Sequence, residues 1–262
     1  MDKPPSSNVT AETVLQHNRR YIPGGISSVN RAIDPAITFV KAEGAYLWDT
    51  EGKRYIDYHA GFAPYFLGHN FKPVNMAASV ALNNVYSLFG AGPSIAEGWL
   101  AELSCEIFPV VDRIALLNPG CGTARSAIRI ARAVTNHQHI IVMQGGYNGN
   151  QDELATNVFN TLAEIGPRVS PGEYPLRPLG AGTTITQTHF THAVNYNDLE
   201  SVRYVCRRYP VAALITEPLL QNIGVVRPKP GYLEGLRDLA DEFGFLLVFA
   251  EGKTGFRPPV GG

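Results

Sequence analysis

Apolar and polar positions follow one rhythm before about residue 73 and another after it. In the first stretch they alternate in twos, over Ile37–Ala42, Ala45–Trp48 and Tyr55–Tyr58, with the turn residues Asp49–Lys53 closing a hairpin. A short helix is expected near Ala11–Arg20, behind a leader at 1–10 that lacks apolar periodicity, and Tyr21–Gly25 has turn chemistry. Beyond Pro73 the period lengthens. Val74–Leu88 has a helical pattern, and Ser94-Ile-Ala-Glu97 is a capping box whose helix carries Trp99, Leu100 and Leu103 on an apolar face. Short apolar runs then alternate with helical segments. The expected strands are Ile114–Leu117, His139–Met143, Thr188–Asn195, Val211–Thr216 and Phe245–Phe249; the helices follow Gly122 and Leu154 and span Leu199–Arg208 and Tyr232–Phe243. A proline- and glycine-rich loop fills 166–184. This alternation predicts a parallel sheet covered by helices on both faces.

The stretch Arg113–Thr135 ties the pattern to chemistry. An apolar run breaks at Pro119, Gly120-Cys121-Gly122 forms a glycine turn, and apolar residues return at helical spacing as Ala124, Ala127, Ile128, Ala131 and Val134. A strand, a glycine turn and a helix leave first-turn N–H groups pointing at one place, where the helix dipole favours an anion. The stretch fits either a phosphate cradle or a tight turn with no ligand.

Composition narrows the alternatives. The 262 residues suffice for one large domain or two smaller ones, and 22 basic against 23 acidic side chains give no charge signal for nucleic acid or an anionic membrane. Cys105, Cys121 and Cys206 are widely spaced, which fits a reduced, cytoplasmic setting, and no apolar stretch approaches a membrane span. His137-x-His139 and His189-x-x-His192 lack a Cys, Asp or Glu at ligand spacing, so surface or lightly buried histidines are expected there in place of zinc ligands.

Ligands of parallel α/β sheets sit beyond the carboxyl ends of the strands. Those ends carry Asn118–Gly122, Gly145-Gly-Tyr-Asn-Gly149, Glu217-Pro218 and Ala250-Glu251, a set suited to a phosphorylated aromatic ligand. A dinucleotide site fits less well. The third glycine of its fingerprint falls on Arg125, and Gln144-Gly-Gly stands where its acidic residue belongs.

These segments, with Pro23–Arg31, Gly44–Asp49, Leu67-Gly-His69, Asn222-Ile-Gly224, Gly231–Arg237 and Thr254-Gly-Phe-Arg257, resemble the class-III, fold-type I aminotransferases that use pyridoxal phosphate, nearest to the glutamate-1-semialdehyde 2,1-aminomutases. The resemblance runs from about residue 12 to the end. It implies an α/β fold: an incomplete fold-type I large domain, a three-layer α/β/α sheet over 73–262, with a small N-terminal α+β segment over 1–72. It also implies pyridoxal 5'-phosphate as cofactor, a small amino or keto acid as substrate, a homodimer, and no nucleic acid or membrane partner. By position, Gly120, Cys121, Gly122 and Thr123 match the phosphate-binding turn and Tyr147 the residue stacked on the pyridine ring. Asn148 stands where many members have His. Glu217 and Asn222 match polar residues near the ring oxygen, and Ser28 and Arg31 match positions that hold the substrate carboxylate. Arg31 alone would otherwise be a solvated loop arginine.

Three departures from the family pattern matter more than the matches. The turn reads Pro119-Gly-Cys-Gly-Thr123, so a weak thiol donor replaces a hydroxyl and phosphate binding is expected to weaken. Ala250-Glu251-Gly252 replaces Asp-Glu-Val, removing the carboxylate that pairs with the ring nitrogen. Glu251 faces the other side of the sheet and cannot substitute. None of the six lysines occupies the Schiff-base position, so no catalytic residue is assigned. In the family the sheet order is 3-2-4-5-6-7-1. The strand at 113–118 is therefore expected to be separated from a block of four and the chain alone to be poorly stable. The expected function is that of an aminotransferase or aminomutase relative without turnover of its own; the alternative is a non-catalytic partner of an intact homologue.

Overall fold

In a computed structural model of the chain, residues 9–28, 31–84 and 91–257 are described. They fall into two compact units, residues 1–91 and 92–262.

In the first unit, helix α1 (Ala11–Arg19) starts at Thr10, whose hydroxyl accepts the Thr13 N–H (3.2 Å). Strands β1 (Phe39–Glu43), β2 (Tyr46–Asp49) and β3 (Arg54–Ile56) form an antiparallel meander in the order β1-β2-β3. The turn between β2 and β3 is built by Asp49. Its buried carboxylate accepts the N–H groups of Glu51 and Lys53 and the hydroxyl of Tyr55, each at 2.9 Å. Helix α2 (Lys72–Asn83) completes the unit. The part of its expected span at 85–88 and the leader at 1–8 lie outside the described residues. The 72/73 boundary expected from the change in pattern stands beside a division at 91/92, which assigns α2 to the first unit.

The second unit begins with α3 (Ile95–Ile107), where Glu97 reaches back to the Ser94 N–H (3.2 Å) as the capping box requires. Its Trp99, Leu100 and Leu103 are exposed. Helix α4 (Gly120–Thr135) buries Ile128 and Ala131, while Val134, expected on the same face, is exposed at the last turn. Strand β4 (His139–Met143) follows, then the single-turn helices α5 (Leu162–Ile165) and α6 (Ile185–Thr188), β5 (Thr191–Val194), α7 (Leu199–Cys206), β6 (Val211–Thr216), α8 (Tyr232–Phe243) and β7 (Leu246–Phe249). All four strands are parallel, in the order β5-β4-β6-β7.

The period of two in β4–β6 separates two cores. Ile141, Val194 and Leu214 pack against α7 and α8 on one face; Ile140, Val142, Ala193 and Ile215 pack against Ile128 and Ala131 of α4 on the other. Helix α8 ends at Gly244 with φ +74°, a left-handed turn that glycine takes without strain.

Two expectations fail. Residues 113–118 form no strand: the four strands pair in the order β5-β4-β6-β7, the expected block of four, this segment enters none of their ladders, and Leu116 and Leu117 stay exposed. The helix expected after Leu154 shrinks to α5, because the backbone there is engaged elsewhere. Asn157 N–H donates to Arg177 C=O, and Leu179 N–H to Ala155 C=O (both 2.8 Å). The 166–184 loop therefore runs as a strap, and Tyr174 N–H donates to Ala193 C=O (2.8 Å) at the outer edge of β5. Among the described residues no helix is long and apolar enough to cross a membrane.

Candidate cofactor site

The carboxyl ends of β4, β6 and β7 converge on the start of α4. Contrary to expectation, Gly120-Cys121-Gly122 is the first turn of α4 itself and not a turn ahead of it. The N-cap is Pro119, which has no side-chain oxygen to offer, and the first backbone bond runs from Thr123 N–H to Pro119 C=O (3.1 Å). The N–H groups of residues 120–122 thus have neither an intrahelical acceptor nor a cap. A Cβ at Gly120 would meet nothing within 4 Å, so the ground before this turn is open. Thr123 is exposed.

The loop after β4 lies against this turn. A Cβ on Gly149 would stand 3.2 Å from Cys121 Cα and would collide with Gln151 Oε1, and Gly149 has φ +126°, so only glycine fits there. Farther back, Tyr147 N–H donates to Glu217 Oε1 (3.2 Å), and Gln221 N–H donates to Glu217 Oε2 (3.2 Å). Glu217 is buried, and burial raises its pKa against the opposing pull of these two N–H groups and of Lys253. Tyr196 donates to Pro218 C=O (2.5 Å); burial, with the Glu217 charge, pushes its hydroxyl up to about 12. Ile223, next to Asn222, packs where a Cβ on Gly145 would fall.

Several buried polar atoms here have no partner among the described residues: Asn148 Oδ1, Asn222 Nδ2 and both amide atoms of Gln151. Buried polar groups are almost always satisfied, so a cluster of orphans marks a place for a ligand. The structure therefore brings the 120–122 turn, Tyr147, Asn148, Glu217 and Asn222 to one end of one sheet. Ser28 and Arg31 belong to the first unit, where Arg31 N–H donates to Ser28 C=O (3.0 Å) and the Arg31 side chain is exposed.

A family model described as aminotransferase class-III matches residues 28–259. The chain belongs to the class-III aminotransferase family. The cofactor of that family is pyridoxal phosphate. Over its whole length the chain is 38% identical to glutamate-1-semialdehyde 2,1-aminomutase 2 of Brevibacillus brevis and spans 58% of that protein. Among solved structures, an omega-transaminase from Sphaerobacter thermophilus is similar over 99% of this chain and 58% of its own, with a TM-score of 0.88 at 24% identity. A beta-phenylalanine aminotransferase from Variovorax paradoxus is similar over 91% of this chain and 50% of its own, with a TM-score of 0.74 at 28% identity. A glutamate-1-semialdehyde-aminomutase from Pseudomonas aeruginosa covers 91% and 51%, with a TM-score of 0.73 at 22% identity. The fold is thus a partial fold-type I domain.

The class-III cofactor fits this chain in part. The open first turn of α4 suits a phosphate, and the orphaned Asn148 Oδ1 and Asn222 Nδ2 suit ring substituents. No carboxylate stands at Ala250, where the resemblance places the partner of the ring nitrogen, and Glu251 Oε2 accepts from the Thr254 hydroxyl (3.3 Å). Two residues escaped the sequence pattern. Gln151 reads as one more polar residue in a loop, and only its unsatisfied amide reveals it. Lys253 lies four positions beyond the end of β7, and only folding brings its charge to bear on Glu217.

Proposed function

We propose that this end of the sheet is the phosphate- and ring-holding part of a pyridoxal phosphate site, in an aminotransferase or aminomutase relative acting on a small amino or keto acid. The cluster of orphaned buried amides around Glu217 carries the reading. In it the N–H groups of residues 120–122 hold the phosphate, weakened by the Cys121 thiol where the family has a hydroxyl. The Tyr147 ring stacks on the pyridine, and Asn148 and Asn222 hydrogen-bond to it. Glu217 fixes the backbone at Tyr147 and Gln221 so that both loops present their side chains together. Ser28 and Arg31 bind the substrate carboxylate, Arg31 through its planar fork. Bound pyridoxal phosphate supplies an electron sink for the amino carbon.

With Ala250 in place of the ring-nitrogen carboxylate, and none of the six lysines at the family's Schiff-base position, the 262-residue polypeptide by itself does not transfer an amino group. Assembly into a dimer, with itself or with an intact homologue, accounts for the exposed Trp99, Leu100 and Leu103 face of α3. A cytoplasmic location accords with three free cysteines.

Titration of the chain with pyridoxal phosphate, followed by its absorbance and repeated against inorganic phosphate, tests the site. Saturable binding that phosphate competes away is expected, with no keto acid formed from an added amino acid. Ala250→Asp is expected to lower stability of the free chain by up to about 1 kcal/mol, because it places an unpaired carboxylate at a half-buried position, and to tighten cofactor binding. Absence of saturable binding, or keto-acid production by the unmodified chain, overturns the reading.

A further inference from the structure

A second cluster of ionisable groups lies at the amino ends of β4 and β5, the opposite end of the sheet from Glu217. The histidines do not pair as their spacing suggests: His139 Nδ1 meets His192 Nε2 at 2.8 Å, and His192 Nδ1 bonds the Glu173 carboxylate. His192, expected near the surface, is buried at 5% exposure. Tyr209, just ahead of β6, stacks on His192 with centroids 4.2 Å apart and lies 4.8 Å from His139.

The hydrogen bonds limit how many protons this array holds. A carboxylate only accepts, so His192 Nδ1 carries a proton. The contact between the rings takes one proton shared by two nitrogens. Four ring nitrogens therefore carry at most three protons, which is one positive charge over two rings. A further proton would set N–H against N–H. The surroundings oppose it as well: burial, then the charges of His192, His189 and Arg132, hold the His139 pKa below its ordinary value, and Glu173 alone pulls the other way.

Glu173 belongs to the strap over 166–184. Besides the Tyr174 backbone bond to Ala193, the strap is seated by Tyr174 Oη donating to Asn195 Oδ1 (2.8 Å) and Gly172 N–H donating to Ser201 Oγ (3.1 Å). Farther along it holds Asn157: Arg177 N–H donates to Asn157 Oδ1 (2.9 Å), and Asn157 Nδ2 donates to Pro175 C=O (3.1 Å) and to Gln144 Oε1 (2.8 Å). Gly145 N–H donates to Asn157 C=O (2.7 Å). A continuous set of bonds thus joins the histidine array to the loop that follows β4.

We propose that His139, His192 and Glu173 form a proton-counting latch, which keeps the strap on the edge of β5 while the two rings share at most one positive charge and releases it when a second arrives. Release unseats Asn157 and with it the support of Gln144 and Gly145. The proposal needs no cofactor and stands apart from the function proposed above.

Amide hydrogen exchange of the full chain, corrected for intrinsic rates and referred to the amides of β6, tests it at about pH 7.5 and about pH 5.5. Exchange at Tyr174 and Arg177 is expected to rise at the lower pH, approaching about tenfold per pH unit once the second proton binds. His139→Phe, which keeps the stack on Tyr209, and His139→Asn, which keeps a partner for His192 Nε2 without a titrating ring, are each expected to abolish this response. Unchanged exchange in the wild type, or a wild-type response in either variant, overturns the proposal. Ring-proton titration of the unmodified chain by NMR gives a reading that needs no variant: coupled titration of His139 and His192 supports the latch, and independent titration refutes it.

Discussion

The two ends of one four-stranded sheet handle buried polarity in opposite ways. At the carboxyl ends, Asn148 Oδ1, Asn222 Nδ2 and the Gln151 amide are buried without partners among the described residues, and three helix N–H groups meet no cap there. At the amino ends, His192 uses both ring nitrogens, one on His139 and one on Glu173. Both ends bury polar groups, so burial alone does not separate a site from a scaffold. Satisfaction separates them. A finished network contributes to stability, whereas unfinished donors and acceptors cost free energy until a ligand completes them.

The sharpest test of this contrast removes a member of the finished end. His192→Ala deletes two hydrogen bonds, leaves Glu173 and His139 without their shared partner and opens space beside Tyr209. A loss of roughly 2–4 kcal/mol is expected, read as a shift in the urea midpoint. A loss below about 1 kcal/mol would show that the array contributes no more than an exposed ion pair.

The opposite substitution at the unfinished end has a smaller effect of the other sign. Asn222→Leu removes the orphaned Nδ2 at similar volume and is expected to leave the free chain unchanged or stabilise it by up to about 1 kcal/mol. The same change should weaken pyridoxal phosphate binding about tenfold, the worth of one hydrogen bond. Destabilisation of the free chain would mean that Asn222 already has a partner and that its end of the sheet is not waiting for a ligand.

What the sequence discloses follows from how local the governing interactions are. Strands β4 and β6 and helix α8 fall where hydrophobic period and glycine punctuation put them, because their burial is decided by side chains a few residues apart. The start of α4 was legible for the same reason, although its glycines lie inside the helix and not ahead of it. Residues 113–118 carry an apolar run that suits a buried strand, yet a strand exists only as one side of a ladder, and no local signal tells whether the other side is present. The histidines failed in another way. Spacing along the chain suggested 137 with 139 and 189 with 192, but parallel pairing of β4 and β5 placed 139 beside 192, a contact set by register. Lys253 and Gln151 were invisible because their importance lies in a charge and a missing bond that only the assembled loops create.

The finest test of the contrast is the sign of the pH dependence at each end. Burial raises the pKa of Glu217 above its ordinary 4.5, so over the window above that value the folded chain binds more protons than the unfolded one, and stability falls as pH rises. Burial, with the neighbouring cations, lowers the pKa of His139 below its ordinary 6.5, so below that value the unfolded chain binds more protons, and stability falls as pH drops. The two ends therefore press on stability from opposite sides, and each effect is expected to be smaller than those of the substitutions above. Urea midpoints across this range should lose their acid-side decline in His139→Phe and the decline above pH 4.5 in Glu217→Gln, each leaving the other in place. A variant that flattens both sides would mean that the strap, which joins the histidine array to the loop after β4, carries each titration to the other end, and the separation of the two ends in pH would fail.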